Sequence, residues 1–496
     1  MLFNSLQFLV FFPVVTLIYF LLPHRFRWFH LLIASCIFYM YFIPVYILIL
    51  IFTIVIDYIA VIMIENASGR RRKLFLVMSI VANVGVLAFF KYYNFFIKNI
   101  NELFHGTATA SFALPLLNII LPIGLSFHTF QAMSYTIEVY RRNYPAERHF
   151  GIYALYVMFY PQLVAGPIER PQNILQQFHQ RKHFDYYNVT DGLKLIMWGM
   201  FKKVVIADRL AKFTDPVFNH PHDYSPLVLL LASIFFSFQI YCDFSGYTDI
   251  AIGCAKVMGF RLMKNFDKPY QSRDVSEFWR RWHISLSSWF KDYLYISLGG
   301  NRVSVPRWYF NLFFVFVVSG FWHGANWTFI VWGALHGFYL IFAIVTKTPR
   351  FKINTWIGIT RIPWLFTLTQ VLITYSLVTF AWIFFRANSI KEALYIAGKM
   401  PAAIGSIGEL ILKGHFSSRY IQESIGSIPV YQYDILLSFF LIFFLEAVQL
   451  FQRKYNILTL LKKRPVYQRW ALYYVMVMVI IFFGVYENRQ FIYFQF

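Results

Sequence analysis

Ser319-Gly320-Phe321-Trp322-His323-Gly324-Ala325-Asn326-Trp327 joins two apolar runs, residues 310–321 and 327–342, that are too hydrophobic to rest in water. The stretch therefore sets an ionisable side chain, His323, at membrane depth between two tryptophans. A titratable group is costly there and as a rule faces a polar cavity or a partner inside the protein, so its position alone makes His323 a functional candidate. Glycines at 320 and 324 remove side-chain bulk beside it, which lets a ligand or a neighbouring helix approach closely.

The rest of the chain has the composition this reading requires. Of 496 residues, 58% are hydrophobic, 21% aromatic and only 14% charged, the profile of an integral membrane protein. Segments 6–22, 44–64, 74–90, 226–241, 364–385, 435–450 and 471–485 reach or approach the ~20 apolar residues that cross a ~30 Å hydrocarbon layer. Shorter or interrupted runs at 31–42, 120–139, 152–164, 194–206, 310–321 and 327–342 bring the expectation to about eleven to thirteen transmembrane and re-entrant helices. No internal repeat is visible, so residues 1–496 read as one all-α, polytopic membrane domain.

In a soluble protein a net charge of +22 would point to nucleic acid. Here the basic residues cluster beside helix ends, at Arg25 and Arg27, at 70–73, at Arg141, Arg142 and Arg148, and at Arg453, Lys454, Lys462, Lys463 and Arg464. Such clusters orient loops toward the cytoplasm, which excludes a nucleic-acid partner and places the N-terminus outside the cytoplasmic (inner) membrane, in contact with lipid. The same alternation puts residues 387–433 and the tail 487–496 on the extracytoplasmic face. The first apolar segment has neither a basic leader nor a small-residue cleavage site, so it reads as a retained helix. Cys36, Cys242 and Cys254 stand in apolar surroundings at no metal-ligand spacing, which predicts neither a disulfide framework nor a metal site.

Polar or Pro/Gly-rich runs interrupt the apolar segments at 121–128 and 161–171. Irregular backbone at membrane depth is tolerated only where protein or a water-filled cavity satisfies it, so a thin, funnelled centre is expected. In Tyr241-Cys242-Asp243-Phe244-Ser245-Gly246-Tyr247-Thr248-Asp249 the buried carboxylate of Asp243 needs a partner, either Tyr247 one helical turn on or an arginine elsewhere. Asp274 with Glu277 three residues later resembles a helix start. From there Trp279, Trp282, Leu286, Trp289 and Tyr293 recur at helical spacing, with His283 beside the stripe and Arg280, Arg281 and Lys291 largely off it. The pattern predicts an amphipathic helix at the cytoplasmic interface, its arginines in the headgroup region or facing an anionic ligand. His323 and His336 would lie about 20 Å apart on one straight helix and share a site only if that helix breaks. The residues alone leave catalytic and structural roles open for both.

The runs 121–130, 160–171, 241–253, 265–301 and 319–337, in that order, resemble the membrane-bound O-acyltransferase (MBOAT) family, and within it the AlgI-like branch that O-acetylates polysaccharides such as alginate, peptidoglycan and cellulose. The resemblance covers nearly the whole chain. It implies an MBOAT fold, a helical ring around a thin central funnel, with His323 as catalytic histidine and His283 as the second histidine of the active site. It also implies acetyl-CoA as cytoplasmic acyl donor with no tightly bound cofactor. Arg280, Arg281 and Lys291 are then candidates for the phosphates of coenzyme A. The chemistry suits the residues, because acyl transfer to a hydroxyl needs a base that works near neutral pH and histidine is the usual one.

On the same resemblance the final acceptor is a surface polysaccharide outside the cell, reached through a separate extracytoplasmic SGNH-type acetyltransferase or scaffold protein. The ending Phe491-Ile492-Tyr493-Phe494-Gln495-Phe496 is similar to the Phe-x-Tyr-x-x-Phe endings of some AlgI-like proteins, which makes Tyr493 an acyl relay. The plain alternative is an aromatic tail at the membrane interface. Two other activities stay in view: D-alanyl transfer from a carrier protein to a cell-wall polymer, and a lipid or polysaccharide transporter. His128 stands where this family would be expected to have phenylalanine or tyrosine.

Overall fold

The computed structural model describes residues 1–104, 114–118, 121–413, 431–486 and 491–492, and among them the regular structure is entirely helical. Among the described residues seven helices are long and apolar enough to cross a membrane: Pro44–Asn66, Gly69–Phe104, Pro226–Val257, Trp327–Val345, Pro363–Arg386, Tyr433–Lys454 and Val466–Phe483. The protein is a multi-pass membrane protein. Leu6–Leu21 is apolar but shorter, and the remaining apolar runs form helices such as His24–Met40, Leu125–Tyr140 and Val305–His323. By their contacts the residues fall into two compact units interleaved in sequence.

The first unit comprises Met1–Ile196 with Tyr247–Lys264. Its helices Ile47–Asn66 and Gly69–Leu87 meet around Asp57, a fully buried carboxylate that accepts from the Ser79 hydroxyl at 2.5 Å and from Asn83 Nδ2 at 2.8 and 2.9 Å. Two short side chains on the next helix thus satisfy a polar group that would otherwise be prohibitive at this depth. The interruption at 121–124 ends at Gly124, whose φ of 77° suits glycine and which starts the helix Leu125–Tyr140. One turn in, His128 donates from Nε2 to the Leu163 carbonyl at 2.6 Å. Leu163 closes the four-residue helix Tyr160–Leu163, so its carbonyl has no partner a turn further on; histidine supplies one where phenylalanine could not.

The second unit comprises Met197–Gly246 with Asn265–Phe496. Its centre is a hairpin of Val305–His323 and Trp327–Val345. The two helices cross at Gly320 and Gly333. A Cβ on Gly320 would lie 2.2 Å from the Phe329 carbonyl oxygen, and one on Gly333 2.2 Å from that of Phe316. The close approach that the glycines allow is therefore taken by a helix and not by a ligand. Pro363–Arg386 packs on the second arm, and Ile390–Lys413, with Pro401 inside it, packs on Pro363–Arg386. That helix makes up most of the described part of the segment 387–433. Val466–Phe483 buries none of its residues in the protein, so in a bilayer its apolar surface meets lipid.

Candidate active site

His323 is the last residue of Val305–His323. The chain opens out at Gly324 (φ −162°), and Asn326 Oδ1 accepts from the Thr328 amide at 3.1 Å to start the next helix. Glycine as stop and asparagine as N-cap are the ordinary local reasons for such a break. The His323 side chain is 5% exposed, and its ring stands edge-on to Trp332 (centroids 5.1 Å apart, 90°) and to Phe385 (5.4 Å, 70°).

The break overturns the straight-helix separation of the two histidines. His336 lies 5.0 Å from the same Trp332 ring, so His323 and His336 both pack on one indole. Their chemistry differs. His336 is fully buried, and its Nδ1 accepts a hydrogen bond from Trp279 Nε1 at 3.3 Å. Its basic nitrogen is thereby committed to holding an indole.

The expected amphipathic helix over 275–293 also breaks. Asp274 caps it as predicted, accepting from the Glu277 amide at 2.7 Å while Glu277 accepts from the Arg273 amide at 2.7 Å. Val275–Arg281 then stops, His283 takes the left-handed conformation (φ 42°, ψ 56°), and a second helix runs Ile284–Trp289 into a π turn, Phe290–Tyr295. A left-handed histidine costs about 1–2 kcal/mol, so something must hold it. Asn265 does. Its Oδ1 accepts from the Ser285 amide (3.1 Å), the Ser285 hydroxyl (2.7 Å) and His283 Nδ1 (3.3 Å), and its carbonyl accepts from the Ile284 amide (2.9 Å).

The Ser285 amide is a donor only, which fixes the Asn265 atom as oxygen and therefore the proton of His283 on Nδ1. Nε2 is left with the lone pair, the form a general base requires. The ring is 1% exposed and edge-on to Phe244 at 4.7 Å.

A stack of tryptophans joins the two candidate histidines. Trp282, next to His283, lies 5.0 Å from Trp382; Trp382 stacks on Trp332 at 5.6 Å and 22°; Trp332 meets His323. The three indoles are buried, and so low-dielectric a layer strengthens every electrostatic contact inside it.

Residues 119–390 match the sequence profile of MBOAT, the membrane-bound O-acyltransferase family. The chain belongs to the membrane-bound O-acyltransferase family. It is a membrane O-acyltransferase. A probable alginate O-acetylase AlgI of Pseudomonas aeruginosa is 40% identical over 411 residues, covering 82% of this chain and 75% of that protein. A peptidoglycan O-acetyltransferase of Helicobacter pylori is 37% identical over 443 residues, 82% of this chain and 80% of its own. More remote is a teichoic acid D-alanyltransferase of Streptococcus thermophilus, 30% identical over 243 residues, 44% of this chain and 56% of that one.

The MBOAT match takes in Asn265, His283, His323, Trp332 and Trp382 but stops short of Tyr493, which lies outside the described residues. Arg280 is exposed and bonded to Ser276 Oγ at 2.9 Å, Arg281 pairs with Glu277 at 2.6 Å, and Lys291 is exposed on the π turn.

The charged partner that the structure gives Asp243 is a lysine. Its Oδ1 meets Lys203 Nζ at 2.7 Å, and Lys203 also reaches Asp208 Oδ1 at 2.9 Å, all three being buried. Asn265, Trp382 and Lys203 were not singled out by sequence reasoning. The one available hint was apolar spacing, with Trp382 and Phe385 on one face of their helix.

Proposed function

We propose that this membrane O-acyltransferase carries an acetyl group from acetyl-CoA in the cytoplasm toward O-acetylation of a polysaccharide outside the membrane. The observation that carries the reading is the pair of buried histidines, His283 with its lone pair on Nε2 and His323 at a helix break, joined through one tryptophan stack. Relatives that act on alginate and on peptidoglycan at 40% and 37% identity support the acetyl group and the polymer class.

In this reading His323 accepts the proton of an acceptor hydroxyl as its oxygen attacks the thioester carbonyl. The new C–O bond forms, the C–S bond breaks, and the proton passes to the leaving CoA thiolate. His283, held by Asn265, supports the same transfer from the other end of the stack. The hydroxyl belongs to Tyr493 or to an extracytoplasmic SGNH-type partner, which hands the acetyl group to the polymer. Arg280, Arg281 and Lys291 remain candidates for the CoA phosphates. The basic loops support an orientation in the cytoplasmic membrane with the N-terminus outside.

Cells carrying only a His323→Ala copy test this. Loss of polymer O-acetylation with normal accumulation of the protein is expected, and retained acetylation would reject the role given to His323. The D-alanyltransferase relative favours a second reading, D-alanyl transfer from a carrier-protein thioester. That reading requires no consumption of acetyl-CoA.

A further inference from the structure

The Lys203–Asp243 pair is tied to a distant part of the chain. Asp243 uses Oδ1 for Lys203, while its Oδ2 accepts from the backbone amide of Ile492 at 2.8 Å. Phe491 packs on Phe244 with centroids 5.7 Å apart, and the other side of this contact is direct: Phe244 is edge-on to His283 at 4.7 Å. Phe491 and Ile492 are 1% and 2% exposed. Two residues shortly beyond the last long helix, Val466–Phe483, are thus buried one ring away from a candidate catalytic histidine.

The same part of the fold holds the approach to this segment. Val204 lies in the π turn Phe201–Ala207, where the widened helix releases carbonyls from their usual partners, and its oxygen accepts from the Val485 amide at 2.9 Å. Arg209 donates to the Phe483 carbonyl at 2.8 Å. Gly246 brings the Asp243 helix against this turn, since a Cβ there would lie 2.8 Å from the Gly199 carbonyl and 3.2 Å from the Lys203 amide.

From these contacts we infer that Asp243 is a positioning residue: oriented by Lys203, its carboxylate clamps the main chain at Ile492 and seats residues 491–492 beside Phe244 and His283. The charges suit the task. A carboxylate accepting a backbone amide in a dry site makes a stronger bond than a neutral acceptor, and Lys203 fixes its direction. The amide of Ile492, which water cannot reach, has its partner in that carboxylate. The clamp stands whatever group is transferred; its use, to present the residue that follows Ile492 in sequence, Tyr493, to the acyl group, rests on the reading proposed above.

The test is a cysteine-accessibility experiment on the purified full chain with Cys36 replaced by serine, Cys242 by alanine and Phe491→Cys as reporter, labelled with a hydrophilic maleimide. Cys254, fully buried in the first unit, is the internal control for an intact fold. Ile492→Ala keeps the clamped amide proton and Ile492→Pro removes it, and neither touches the Lys203–Asp243 pair. The reporter is expected to label at least tenfold faster with Ile492→Pro than with Ile492→Ala, and at least tenfold faster with Asp243→Ala than with Asp243 present, while Cys254 stays unlabelled. Equal labelling of the two Ile492 variants would overturn the clamp. So would an Asp243→Ala protein that keeps Cys254 protected and labels the reporter no faster than its parent. No arm of the experiment involves acyl transfer, so its outcome is separate from that of the acetyl-CoA reading.

Discussion

Asn265 and His283 are bound through a single oxygen: Asn265 Oδ1 takes the Nδ1 proton of the histidine at 3.3 Å while also holding the amide and hydroxyl of Ser285. One side chain thereby sets the tautomer of a buried imidazole and stabilises the left-handed turn that aims it. Asn265→Ala is expected to lower kcat by about ten- to a hundredfold with a smaller change in KM, because His283, which supports the transfer in the proposed reading, remains but is no longer oriented. Steady-state kinetics on the purified variant check this, and an unchanged kcat would remove Asn265 from the account.

The backbone of His283 gives a second, separable prediction. Asparagine adopts the left-handed region more readily than a β-branched residue does. His283→Asn should therefore accumulate and remain monodisperse like the parent yet transfer little acyl group. His283→Val should add a loss of stability of about 1–2 kcal/mol. Size-exclusion profiles and thermal melts of the two variants, beside their turnover, separate conformation from chemistry.

His336 sits against the same indole as His323 but spends its acceptor nitrogen on Trp279. His336→Phe is expected to lower stability by about 1–3 kcal/mol, leaving the Trp279 donor buried without a partner, and to keep turnover within about tenfold of the parent. His323→Ala should do the reverse. If His336→Phe loses turnover as completely as His323→Ala while melting normally, the division of labour between the two is wrong.

The hairpin crossing predicts an asymmetry among glycines. Gly320→Leu forces side-chain atoms into the Phe329 backbone and should abolish accumulation of folded protein, whereas Gly398→Ala, with nothing within 4 Å of the added Cβ, should be neutral. Fluorescence-detected size exclusion of the tagged variants reads this directly.

The spans were legible in the sequence because membrane helices obey a length rule that needs no partner: the apolar runs at 44–64, 226–241 and 364–385 became Pro44–Asn66, Pro226–Val257 and Pro363–Arg386. The break after His323 has local causes, with Gly324 and Asn326 in the roles those residues commonly fill, yet the sequence reading measured His323 and His336 along one straight helix. The break at His283 was not legible. Trp279, Trp282, Leu286, Trp289 and Tyr293 keep helical spacing through it, and the force that bends the chain comes from Asn265, which no local pattern in 275–293 reveals. Asp243 shows the same limit: its need for a partner follows from burial, but Lys203 is chosen by a helix packing on Gly246, a tertiary event. The family motifs pointed to His283 and His323, and the distances among Trp282, Trp382 and Trp332 show how the fold connects them.

The most direct measurement is to incubate the purified protein with isotopically labelled acetyl-CoA and map any ester by peptide mass spectrometry, comparing the parent with His323→Ala and Tyr493→Phe. The account predicts release of CoA by the parent that His323→Ala abolishes, with label on Tyr493; CoA release without that label keeps the enzyme and moves the acceptor hydroxyl to the partner. Absence of CoA release from the parent, or release undiminished in His323→Ala, would contradict it.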